Sequence, residues 1–218
     1  MISLLLGSRP LLAVDPSLGR APADAPFPID QMASLHPLDG EPLPAKLESF
    51  LESGPPPVYL GFGSMPDPDP AGTTRTLVDA VVRVGCRAVI GAGWAALGDG
   101  PLPERVIAIE AVSHPTLFPR CAAVVHHGGA GTTTTAGRAG VPQLVVPHIA
   151  DQFYWARRVT QLGVSIPAMT RRRLDAAGLA AALETILENE IVAERARDLG
   201  GQLRAEAAAS DPVGALLG

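Results

Sequence analysis

From Val58 onward the chain alternates short, uniformly apolar runs with segments of helical periodicity. The runs lie in VYLGFG, RAVIG, RVIAIE, AAVVHH and QLVVP, and the helical patterns run from Thr76 to Val84, onward from Gly131, and from Ala150 to Leu162. A strand that is apolar on both faces must be covered on both, and strands separated by helices pair in parallel. The pattern predicts an α/β chain with a Rossmann-like, doubly wound parallel sheet. Beyond it, Leu179, Leu183, Ile186 and Leu187 recur at helical spacing, and a second helix carries Val192, Leu199 and Leu203.

The opening third is different. Fourteen of the 22 prolines fall in the first 70 residues. Proline breaks helices and removes ladder donors, so residues 16–44 are expected to be extended linker. A short helix over Pro44 to Leu51 follows, with Leu47, Phe50 and Leu51 on one side. With 47% hydrophobic and 18% charged residues, the 218-residue chain is expected to build one sizeable core. A net charge of −5 and the lack of a basic stripe exclude a nucleic-acid footprint. Arg171, Arg172 and Arg173 are expected in a solvated loop or helix entry. Cys86 and Cys121 show neither disulfide-scaffold nor zinc spacing and are expected as small core residues in a reducing compartment. Met1 to Gly7 is apolar but brief and lacks a basic start, and no later segment approaches the roughly 18 apolar residues of a membrane span. No span and a cytoplasmic location are therefore expected.

Val124 to Thr133 is the strongest local signal: a buried strand runs into Gly128-Gly129-Ala130-Gly131-Thr132 and then a helix. Glycines admit close backbone approach, and the N–H groups of Ala130 to Thr133 at the helix start form an anion site. His126 and His127, adjacent at the strand end, should point to opposite faces, one toward the anion and one into the sheet; position alone does not choose. A second turn, Gly61 to Pro66, offers the Ser64 hydroxyl and N–H from a neighbouring strand end, although taken alone the motif favours a plain turn serine. It is no hydrolase elbow, because prolines follow. Gly91-Ala92-Gly93-Trp94-Ala95-Ala96 fits a loose dinucleotide fingerprint, but turn residues follow where a helix is required. Trp94 is left as a core cover or a cleft wall. Asp151 and Gln152, after QLVVP, suit vicinal sugar hydroxyls, with a helix cap as the plain alternative for Asp151. His148 with Asp151 is only a weak metal pattern, and no metal site is expected.

Taken in order, GFGSM, EAVSHPTLF, VVHHGGAGTT and AGVPQLVVPHIADQ resemble the carboxyl-terminal domain of bacterial GT-B glycosyltransferases (glycosyltransferase family 1) that decorate antibiotics and other natural products. The resemblance runs from about Leu47 to Leu203. It implies one half of a GT-B fold, with residues 1–45 the remnant of an amino-terminal domain and interdomain linker, and residues 46–218 the donor-binding domain. It implies inverting transfer of a sugar from a UDP- or dTDP-linked donor, a co-substrate and not a cofactor, to an acceptor hydroxyl. His126 and residues 128–132 would hold the diphosphate, with Ser64 on its other side. Val112 and Trp94 would meet the nucleobase, and Asp151 and Gln152 the sugar. The base belongs to the missing acceptor-binding half, in cis or on a separate chain, so no catalytic residue is assigned and the chain alone is expected to bind donor without transfer. The apolar face that half would cover makes a homo-oligomer an expectation too. The competing readings are a non-catalytic nucleotide-sugar-binding or scaffold domain and a nucleotide-sugar epimerase fragment.

Overall fold

A computed structural model describes residues 10–93, 96–211 and 214; the apolar segment Met1 to Gly7 and Trp94 lie outside them. Five strands form the central sheet: β3 (Val58–Gly61), β4 (Ala88–Gly91), β5 (Val106–Ile109), β6 (Ala123–His126) and β7 (Gln143–Val145). Their order is β5-β4-β3-β6-β7 and every pairing is parallel. Alternate residues face opposite layers and both are buried, as the uniformly apolar runs required. Leu60, Ile90 and Val125 pack under one layer, with α2 (Pro70–Val84) and α6 (Ala176–Glu188). Tyr59, Val89 and Val124 pack under the other, with α1 (Ala45–Glu52), α3 (His114–Leu117) and α4 (Ala130–Ala139). At the β7 edge, Trp155 and Val159 of α5 (Gln152–Gln161) meet Leu199 and Leu203 of α7 (Glu190–Ala209).

Register and strand order together place the site. Ile109, Gly91, Gly61, His126 and Val145 are aligned partner to partner across the sheet, so the carboxyl ends of all five strands finish on one row. From β3 the chain proceeds to β4 and β5 on one side, then crosses to β6 and β7 on the other. The crevice between β3 and β6 is thus where strand order reverses, the position at which open α/β sheets bind ligands.

The proline-rich segment is not plain linker. β1 (Leu11–Ala13) pairs in parallel with β2 (Asp30–Met32), and the fully buried Leu18 joins the Trp155 and Leu203 cluster. The prolines lie outside the two short ladders, so their missing N–H groups do not prevent pairing. Asp15, with no exposed surface, takes a bidentate pair from Arg138 of α4 at 2.7 and 2.8 Å. In the arginine run Arg172 and Arg173 are exposed, as expected, while Arg171 donates to Asp67 at 2.7 Å and to Thr73 at 2.6 Å, tying that turn to the start of α2. No described helix is long and apolar enough to cross a membrane.

Candidate functional site

The turn after β6 opens the crevice. Gly128 has φ +90°, and a Cβ there would lie 2.7 Å from Val145 Cγ1 and 3.0 Å from the Gln152 carbonyl oxygen, so only glycine fits. Gly129 is the N-cap of α4 and offers no side chain to it. Asp69, Asp175 and Asn189 cap α2, α6 and α7 by accepting backbone N–H groups, whereas α1, α3 and α5, like α4, have no side-chain cap. At α4 the uncapped first turn opens onto the crevice. The Thr133 N–H already bonds the Gly129 carbonyl at 2.9 Å, so three amides, of Ala130, Gly131 and Thr132, precede the first helical bond, one fewer than the sequence suggested.

The two histidines part in the opposite sense to the one the resemblance implied. His126 has no exposed surface; its Nδ1 accepts the Gly128 N–H at 3.1 Å and its Nε2 donates to Gln143 Oε1 at 2.9 Å. Burial, followed by the adjacent His127, pushes its pKa down to about 3. It is a neutral brace inside the sheet, with both nitrogens committed to the fold. His127 is the imidazole between the two glycine turns. Its Nε2 lies 2.5 Å from where a Cβ on Gly129 would stand, and its Cε1 3.0 Å from the same point on Gly63. Its buried Nδ1 has no hydrogen-bond partner among the described residues. Burial, then the neighbouring His148, lowers its pKa as well.

Ser64 is exposed on the opposite lip and lines a cavity of about 540 Å³ with Gly91, Gly93, Glu110 and Val112. Val112 also borders a second cavity of about 830 Å³, which reaches Gly131 and Thr132 of α4. One continuous wall, Ala111 to His114, thus divides a space beyond β4 and β5 from a space beside the α4 start. Tyr59 forms part of the floor: its hydroxyl meets His114 Nε2 at 3.2 Å and would sit 2.4 Å from a Cβ on either Gly61 or Gly91. His114 in turn stacks on Phe118 with centroids 4.4 Å apart. Trp94 lies outside the described residues, so the expected nucleobase wall reduces to Val112.

Asp151 and Gln152 are placed differently. Asp151 is exposed and accepts the Trp155 indole N–H at 3.1 Å, which aims the carboxylate; its side chain does not cap α5. Gln152 is turned inward. Its Oε1 accepts the N–H groups of His148 at 2.7 Å and Ile149 at 3.0 Å, while its Nε2 faces Met65 sulfur at 3.3 Å. A carboxamide already holding two amides has little left for a sugar hydroxyl; it shapes the turn that presents Asp151. That turn includes Ala150 at φ +51°, a conformation unusual for a residue with a Cβ.

Arg138 and Arg171 are committed to Asp15 and Asp67, so negative charge at the crevice would be held by amides and the His127 imidazole.

The family model described as "Erythromycin biosynthesis protein CIII-like, C-terminal domain" matches residues 75–215. The chain is 46% identical over 178 residues to a vancomycin aglycone glucosyltransferase of Amycolatopsis orientalis, covering 78% of this chain and 41% of that protein. It is 40% identical over 205 residues to glycosyltransferase GtfC of the same organism, covering 92% of this chain and 48% of that one. The chain thus spans less than half the length of either relative. Among solved structures, the glycosyltransferase VinC in complex with dTDP is similar over 100% of this chain and 53% of its own, with a TM-score of 0.76 and 27% identity. The calicheamicin glycosyltransferase CalG4 shares the fold, with a TM-score of 0.72 over 96% of this chain. The Rossmann-like sheet is the fold of one half of a GT-B glycosyltransferase.

Proposed function

The chain belongs to the family of erythromycin biosynthesis protein CIII-like C-terminal domains, and on that premise we propose that it is the donor-binding half of a glycosyltransferase using UDP- or dTDP-linked sugars. The observation that carries this reading is the uncapped start of α4, opened by Gly128 and Gly129 at the point where strand order reverses. The diphosphate rests on the amides of Ala130, Gly131 and Thr132, with His127 between the two glycine turns and Ser64 on the opposing lip. The nucleobase lies against the main chain at Val112, and Asp151 accepts from sugar hydroxyls. One helix start contributes at most about 2 kcal/mol toward an anion, whereas micromolar binding needs about 8 kcal/mol, so all three parts of the donor must be held.

In the transfer, the acceptor oxygen attacks the anomeric carbon as the bond to the β-phosphate oxygen breaks and the nucleoside diphosphate leaves with the electron pair. Attack from the face opposite the leaving group inverts the configuration. The α4 amides and His127 take up the developing charge in place of a metal. No described residue here is assigned as the base that deprotonates the acceptor. That group comes from an acceptor-binding half, in cis or on a second chain, closing over the crevice. The exposed Ile149 and Phe153 flanking Asp151 support such a closure. Calorimetric titration of the chain with UDP and dTDP is expected to give heat from at least one, and a transfer assay on the chain alone to give no product. Silence from both nucleotides would sink the donor reading, and turnover without a second half would sink the division of labour.

A further inference from the structure

The larger cavity has a wall that the donor reading leaves unused, the irregular segment between β2 and α1. It is pinned at two places. Arg138, near the end of α4, donates to the carbonyl oxygens of Ser34 at 2.8 Å and of His36, while Asp15 grips the same guanidinium. Further on, the Thr116 hydroxyl donates to the Glu41 carbonyl at 2.8 Å. Between these anchors the His36 side chain is exposed and faces the cavity. Its Nε2 comes within 2.4 Å of the point a Cβ on Gly131 would occupy, so the ring stands beside the first turn of α4, in space only a glycine leaves open. Ser34 holds the ring in place: its Oγ accepts the His36 backbone N–H at 3.5 Å and meets His36 Nδ1 at 2.7 Å. That leaves Nε2, the nitrogen nearest the helix start, for a ligand.

We infer that His36 is a donor-binding residue, its Nε2–H directed at a phosphate oxygen of the nucleoside diphosphate that α4 receives. This rests on the donor reading above and extends it: the interdomain segment, and not the sheet alone, closes the diphosphate pocket. The tie through Arg138 explains how a side chain on so short a strap keeps a fixed place, because one helix carries both the phosphate-facing turn and the arginine that anchors the strap.

The test compares wild type with His36→Ala by calorimetry against UDP, dTDP, uridine and thymidine, alongside thermal melting. His36 is exposed, so the variant is expected to melt with the wild type. Diphosphate affinity is expected to fall about tenfold, the loss of one hydrogen bond to a charged group, with nucleoside binding unchanged. Diphosphate affinity equal to or tighter than wild type in His36→Ala overturns the inference while leaving the donor site standing. An equal loss for nucleoside and diphosphate also overturns it, since the ring would then be shaping the pocket and not meeting phosphate. If the wild type binds neither diphosphate, the donor reading itself fails and this inference with it.

Discussion

Two adjacent imidazoles in one strand end serve different ends, and substitution should separate them. His126→Ala removes a buried donor and leaves Gln143 Oε1 and the Gly128 N–H without partners, at a cost of about 2–4 kcal/mol measured by urea denaturation. His127→Ala removes a ring whose buried Nδ1 holds nothing in the fold. It should barely move the denaturation midpoint, yet weaken UDP or dTDP binding about tenfold, as for one lost contact to a charged group. The reverse assignment would appear as the opposite pattern. His126 also makes stability depend on pH. The folded imidazole titrates at about 3, the unfolded one near about 6.5. Between these values the unfolded chain takes up a proton that the folded chain refuses, so the contribution is full above about pH 6.5 and is lost as pH falls toward 3. At pH 5 the loss is about 2 kcal/mol from this group alone. Lowered values at His114, His127 and His148 act in the same direction. Denaturation midpoints between pH 7.5 and 5 should fall for the wild type and fall less steeply for His126→Asn. The sequence could not choose between the two rings, because alternation gives opposite faces without saying which face is open. That depends on Gln143, on the neighbouring strand, and on Gly63, across the crevice.

At the level of elements, apolar runs and caps made most of the sheet legible. All five strands fall inside the runs read as strands, and Asp69-Pro70 starts α2 earlier than Thr76 because an N-cap followed by a first-position proline is a strong helix entry. Strand order was not legible, since it depends on which edge each crossover returns to, and no local pattern encodes that. The β1–β2 pair was hidden for a similar reason: three-residue strands flanked by prolines carry no periodicity, and what holds them is a long-range ion pair. The bonds of Gln152 were not legible because its partners are amides of the preceding turn, invisible to side-chain chemistry. The glycine turn, by contrast, was legible and should be intolerant. Gly128→Ala places a Cβ against Val145 and the Gln152 carbonyl in a left-handed conformation. The expected cost is about 2 kcal/mol or more, read as a lower melting temperature, with donor binding weakened further as the α4 amides shift. An alanine variant that melts and binds as wild type would show that the turn can relax and that its tight geometry is not needed.

For the molecule as a whole, the ion pair of Asp15 and Arg138 joins the proline-rich amino-terminal segment to the helix that opens onto the crevice. Both side chains are buried, at 0% and 5% exposure, and the arginine also holds the strap carbonyls. A buried pair adds little net stability over an apolar replacement, but removing one partner strands the other charge, typically at about 3–5 kcal/mol. Asp15→Ala should therefore destabilise far more than Arg138 and Asp15 replaced together by Met and Leu. If the pair also positions the strap, the two variants should share a second defect that stability does not predict. Even the well-folded double variant would lose the carbonyl anchors at Ser34 and His36, and with them the part of diphosphate affinity that His36 supplies. Limited proteolysis should then cut between residues 20 and 44 faster in the double variant than in wild type, while the sheet stays resistant. A double variant that resists cleavage and binds dTDP as wild type would mean that Thr116 and the β1–β2 ladder hold the strap unaided. The ion pair would then serve the core alone.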